Sequence, residues 1–171
     1  MSITNTSQPH TAPELTSLRR FRKASLALTG AVFFTAMSGA LVAGLDAGLI
    51  YNEFPKMGNG LVPEDLLTQK PTWRNFIDNP SAVQFDHRYL GLGTASLVTG
   101  VWAASTRVPL SRKSRVYMNM LAGMVGLQVM LGISTLLSHV EIKLASAHQT
   151  GAMVLLTLST HLVHSLRNMP K

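Results

Sequence analysis

Hydrophobic and polar positions segregate along this chain over tens of residues. Four windows free of charged residues, 24–45, 89–106, 116–140 and 144–166, are separated by clusters of Lys, Arg, Asp and Glu. Each meets the length test for a membrane helix, since a hydrocarbon core of roughly 30 Å takes about 20 residues at about 1.5 Å each. The second window is the shortest and is extended back to Val83, giving predicted spans at about 24–45, 83–106, 116–138 and 144–166. Soluble core helices are apolar on one face, whereas these windows lack charge on every face. The pattern predicts an all-α fold, an integral membrane four-helix bundle running up-down-up-down. Residues 46–82 form a long outer loop punctuated by Pro55, Pro63, Pro71 and Pro80, and a connection of that length is usually functional. Residues 1–18, rich in Ser, Thr and Pro, predict a mobile tail, which leaves 19–171 as one four-span domain. That tail and the four cations after it resemble an organellar targeting segment, and a plain disordered terminus accounts for them equally.

Composition sharpens this picture. Charged residues make up 13% of the 171, against about a quarter in an ordinary globular domain. The absence of Cys excludes disulfides, thiolate zinc sites, iron–sulfur clusters, c-type haem attachment and Cys nucleophiles. The net charge of +7 would suit nucleic acid, but its placement points to topology. Arg19, Arg20, Arg22, Lys23, Arg107, Arg112, Lys113, Arg115, Arg167 and Lys171 fall on one side of four crossings, with Glu14 as their only acid. Lys56, Lys70, Arg74, Arg88 and Lys143 share the other side with the remaining acids. This is the positive-inside bias. It puts both termini on the matrix or cytoplasmic side, in contact with membrane lipid, and excludes nucleic acid as a partner.

Of the six His residues, His87 and His148 carry the most information. Each stands roughly 28–30 Å from the basic edge at about 1.5 Å per residue, so both share one depth near the outer interface. They start spans two and four, which an up-down bundle sets diagonally across its interior. Small residues follow or flank them: Gly91, Gly93 and Thr94, and Ala145, Ala147, Gly151 and Ala152. A flat macrocycle between two imidazoles would need such neighbours, but small residues are common at any membrane helix interface. Three readings stand here: a bis-His haem, two hydrogen-bonded interfacial histidines, or a non-haem metal pair. His161 and His164 near the basic face read as snorkelling or hydrogen-bonded, His139 as a loop residue, His10 as part of the tail, and Asp46 as an interfacial cap. A faint repeat pairs spans one and two with spans three and four, with Gly44 and Gly132 in comparable positions, and implies a twofold axis along the membrane normal.

GLDAGLIYNEFPKMG at Gly44–Gly58, PED at Pro63–Asp65, QFDHR at Gln84–Arg88, LGISTLL at Leu131–Leu137 and His-Gln-x-Gly at His148–Gly151 together resemble haem A synthase. The likeness is to the mitochondrial type, over its C-terminal half, from about Leu18 to Lys171. It implies an inner-membrane oxidoreductase that converts the C8 methyl of haem O to the formyl of haem A for cytochrome c oxidase. It further implies a ferredoxin-type electron donor, haem O synthase as a neighbour, and a mitochondrial inner-membrane location. By the matches at QFDHR and ASAHQTG, the resemblance makes His87 and His148 axial ligands of a b-type haem. Arg88 and Lys56 on the outer side could pair its propionates, or stand as solvated interfacial cations.

The family's other half, implied to carry the substrate haem and an acid three residues before its first His, has no counterpart here. Gln84 occupies the corresponding position, and a neutral amide cannot act as a carboxylate acid or base. The chain is expected to be a fragment, a half that joins a separately encoded N-terminal half, or a homo-oligomer. Two other classes stand beside the synthase reading. One is a four-helix haem b module for electron transfer or regulation without synthase activity, and the other is a structural assembly subunit without haem.

Overall fold

The computed structural model describes residues 11–167, and every regular element among them is helical. Four long helices carry the fold: α1 (Ala12–Gly44), α3 (Pro80–Ser105), α4 (Arg112–Leu137) and α5 (Ile142–Ser165), with a short α2 (Asn75–Asp78) in the connection between the first two. They pack in a ring, α1 and α4 each lying against both α3 and α5. Two of them, α1 and α4, are long and apolar enough to cross a membrane. Large apolar side chains such as Phe34, Met130, Met153 and Ile142 point outward from the ring.

The helices outrun the charge-free windows because charge excludes a residue from lipid but not from a helix. The clearest case is at the N-terminus, where α1 begins at Ala12, inside the segment expected to be a mobile tail. The Glu14 carboxylate reaches back to accept from the Thr11 amide (2.8 Å) and hydroxyl (3.0 Å), and Pro13 sits in the first turn, where a missing N–H costs nothing. Residues 1–10 of that expected tail, His10 among them, lie outside the described residues.

The buried positions repeat. On α1, Phe21, Ser25, Leu28 and Val32 are buried, and on α4, Ser114, Met118, Leu121 and Val125, the same series at one constant offset. On α3 the series is Thr94, Val98, Val101 and Ser105, matched at another constant offset by Leu155, Ser159, Leu162 and Leu166 at the end of α5. Both helix pairs therefore bury the same stripe, at the three-to-four spacing of a helix face. The helix ends repeat as well: Asp46 after α1 and His139 after α4 both take left-handed backbone, φ 49° and 53°. Asp and His tolerate this conformation better than most non-Gly residues, and it ends a helix by turning the chain away. Both residues therefore have a structural role.

This core fills only one half of the ring, toward the N-terminus of α1 and the α3–α4 turn, where Arg115 donates to the Ser105 (2.7 Å) and Val108 (2.9 Å) carbonyls. Beyond Val32 on α1 and Val125 on α4 no helical residue is buried, nor is any between Gln84 and Thr94 on α3 or before Gly151 on α5. The other half is loosely filled, and both central histidines lie in it.

Candidate functional site

His87 and His148 face each other across the loosely filled half, with ring centres 6.4 Å apart and planes at 82°. That separation is informative. A metal–imidazole nitrogen bond runs about 2 Å and the ring centre lies about 1 Å further back, so two imidazoles on opposite sides of one ion have centres roughly 6 Å apart. Each ring rests on a glycine of the neighbouring helix. A Cβ on Gly39 of α1 would sit 3.0 Å from His87 Cε1, and one on Gly132 of α4 would sit 2.9 Å from His148 Cε1. Gly39 and Gly132 obey the same offset as the buried core stripe, so the two histidine seats are twofold copies. The repeat expected from sequence is present with a different partner, because Gly44 meets open space and Gly39 is the true counterpart of Gly132.

The two rings differ in their hydrogen bonds. His87 Nδ1 lies 2.8 Å from the Ser38 hydroxyl. His148 Nδ1 is buried and has no partner among the described residues. Gln128 holds the backbone beside it, its Nε2 donating to the His148 carbonyl at 2.7 Å, and its side-chain oxygen lies so close over Gly151 that a Cβ there would collide with it. The small residues singled out around His87 have other surroundings: Gly91 and Gly93 meet open space, and Thr94 bonds Thr35 at 2.7 Å.

The long connection folds down onto the start of α3. Arg88 donates through Nη2 to the Tyr51 carbonyl (2.7 Å) and through Nη1 to those of Glu53 and Lys56 (3.0 Å each), while Gln84 Nε2 reaches the Tyr51 carbonyl at 3.0 Å. Arg88, expected to meet an anion, spends its terminal nitrogens on the loop, and its buried Nε has no partner among the described residues. Lys56 contributes its carbonyl to this clasp and leaves its side chain exposed. Further out, the Asp65 carboxylate accepts from Ser81 (2.5 Å) and Tyr51 (2.9 Å), and Asn79 caps α3 while donating to the Asp65 carbonyl. The Ser81 bond, with help from Tyr51, holds Asp65 below the usual carboxylate range. Loss of water and the neighbouring Asp65 raise the Tyr51 phenol.

Other candidates fall away from this centre. His161 bonds the Thr157 carbonyl of its own helix at 2.8 Å and packs on Tyr117. His164 lies in the last turn of α5, where a cation favours the helix dipole. Sequence reasoning found the two rings but missed Ser38, Gly39 and Gln128. The available signal was Met37-Ser38-Gly39 against Met130-Leu131-Gly132, the same Met-x-Gly in the first and third windows.

Chemically, the centre offers two opposed imidazoles and nothing else of the kind, since no group of three or more His, Asp or Glu able to hold a metal occurs among the described residues. Two axial ligands suit an ion whose four equatorial donors arrive with it, as in a planar tetradentate macrocycle. The facing rings and their glycine cradles fit such a group.

Comparison with known proteins agrees in kind. The COX15-CtaA family, described as cytochrome oxidase assembly protein, matches residues 1–160. The chain is 47% identical over 163 residues to heme A synthase COX15 of Homo sapiens, covering 95% of this chain and 40% of that protein. It is 44% identical over 150 residues to heme A synthase of Nitrosospira multiformis, covering 88% and 42%. It is 39% identical to the heme A synthase-mitochondrial ferredoxin fusion protein of Schizosaccharomyces pombe, covering 87% of this chain and 26% of that one. The chain thus spans about 40% of the human protein's length. No solved structure matches it.

Proposed function

The chain belongs to the COX15-CtaA family of cytochrome oxidase assembly proteins, and from that premise we propose that it is the haem-b-holding half of a haem A synthase. The observation that carries this reading is the His87–His148 pair, 6.4 Å between ring centres, each ring seated on a glycine. His87 and His148 would hold the iron, Gly39 and Gly132 leave room at the Cε1 edges of the two rings, and Gln128 fixes the His148 backbone. When bound, such a six-coordinate haem supplies reversible one-electron transfer, with no open position for oxygen. The chain's role is therefore to serve as a one-electron relay in the assembly that converts haem O to haem A. Gln84, bonded to the loop, offers no carboxylate for that oxidation. The Arg88 Nε–H and the Lys56 ammonium are the donors left for propionates, the terminal nitrogens of Arg88 being tied to the loop.

The architecture proposed around this site is an up-down-up-down four-span bundle in the mitochondrial inner membrane, with both termini on the matrix side. It draws support from the apolar lengths of α1 and α4, the outward-facing apolar side chains and the charge partition. The fusion named in Schizosaccharomyces pombe favours a ferredoxin-type electron donor. Haem O synthase, as supplier of the substrate, and the N-terminal half or a second copy complete the proposed partners.

The test is a reduced-minus-oxidised optical spectrum of the detergent-purified chain beside His87→Ala and His148→Ala. A low-spin, six-coordinate b-type signal lost in both variants is the expected result. A signal indifferent to both substitutions overturns the reading.

A further inference from the structure

Resting on the bis-His reading, we propose that Ser38 is a positioning residue that fixes His87 in one tautomer and makes the two histidines unequal ligands, His87 firm and His148 displaceable. The argument is a count of protons. The Ser38 hydroxyl lies 2.8 Å from the Thr35 carbonyl and 2.8 Å from His87 Nδ1. It has one proton to give, and a carbonyl can only accept. The proton therefore goes to Thr35, and the hydroxyl's lone pair receives Nδ1–H from His87. That leaves His87 Nε2 bare, with its lone pair free for a metal.

Across the twofold register no such device exists. Leu131 stands before Gly132 where Ser38 stands before Gly39, and a leucine side chain accepts nothing. His148 Nδ1 is left buried without a partner among the described residues. The nearby Gln128 donates through Nε2 to the His148 carbonyl, and its side-chain oxygen, which lies over Gly151, is itself buried without a partner among the described residues. An imidazole whose second nitrogen donates a hydrogen bond is held in orientation and is a more basic ligand, and loss of such a partner typically costs 10–100-fold in metal affinity. Beside each ring lies the backbone of the equivalent residue in the register, Thr35 for His87 and Gln128 for His148, so what separates the two rings is the Ser38 hydroxyl, for which His148 has no counterpart.

The experiment uses the full chain loaded with haem in detergent, reading haem affinity, reduction potential and carbon monoxide binding to the reduced form. Ser38→Ala is expected to lose roughly 10–100-fold in haem affinity and to shift the potential upward, because a less basic ligand favours the ferrous state. Ser38→Thr, which keeps the hydroxyl, restores both. Leu131→Ser, which offers His148 the missing acceptor, slows carbon monoxide binding. His148→Ala retains a five-coordinate haem, whereas His87→Ala releases it. A Ser38→Ala chain matching a six-coordinate wild type in affinity, potential and carbon monoxide binding overturns this inference alone. A wild type that takes up no six-coordinate haem overturns the bis-His reading and this inference together.

Discussion

At the scale of single residues, the site is defined as much by two missing side chains as by two histidines. A helix normally gains about 1 kcal/mol when an exposed interior glycine becomes alanine. At Gly39 and Gly132 that gain meets a clash, because the new Cβ would press on an imidazole at 3.0 and 2.9 Å. Gly39→Ala and Gly132→Ala are therefore expected to keep or raise thermal stability while lowering the haem-to-protein ratio several-fold. Gly30→Ala and Gly123→Ala, whose Cβ atoms would meet nothing within 4 Å, should raise stability and leave haem content unchanged. Absorbance ratios and melting curves in one detergent check all four. The histidines were legible in the sequence because ionisable residues in apolar stretches are rare and expensive. The glycines were not, since there are 13 in the chain and spacing along one helix cannot say which of them faces a ring on another.

At the scale of elements, the connection between α1 and α3 is a built object rather than a tether. Its inner end is clasped by Arg88 and Gln84, and its outer end turns on Asp65, held by Ser81 and Tyr51. Asp65 has a folded pKa below its ordinary 3.8, so its contribution is present above that value and is lost as pH falls through the folded one. Hydrogen exchange of loop amides, corrected for intrinsic rates, should therefore accelerate as pH drops below about 4, with the helical core unaffected. Asp65→Asn should remove the pH dependence and show fast exchange already at pH 6. Element existence was legible from the charge-free windows, and the loop's length marked it as worth attention. Its internal bonding was not legible, because Asn79, Asp65 and Tyr51 meet only after the chain has reversed several times. Nor was the early start of α1, where capping chemistry at Thr11 and Glu14 outweighs a composition that suggests disorder.

Across the whole molecule, the twofold register divides labour between two ends of one ring. One end is packed, with Leu28, Met118, Leu121 and Leu162 fully buried, and the other is left open around the histidines. The sequence carried the repeat only faintly, because chemically different residues fill equivalent positions: Phe21 answers Ser114, Val98 answers Ser159 and Asp46 answers His139. What is conserved between the halves is burial and backbone geometry, which spatial coordinates reveal and letters do not. Leu28 and Leu121, like Val32 and Val125, are the same residue at equivalent positions, and both leucines have no exposed surface. Truncation to alanine removes the same atoms into the same kind of surroundings, and a buried Leu→Ala change costs about 2–5 kcal/mol. Leu28→Ala and Leu121→Ala are therefore expected to destabilise the chain by closely similar amounts in that range, read as denaturant midpoints in micelles. Their haem spectra should keep wild-type band positions, because the cavities open at the packed end. The glycine variants should do the reverse, sparing stability and disturbing the haem. If one leucine truncation is nearly silent while the other is severe, the two helix pairs related by the register are not equivalent and the histidine seats lose their claim to be copies.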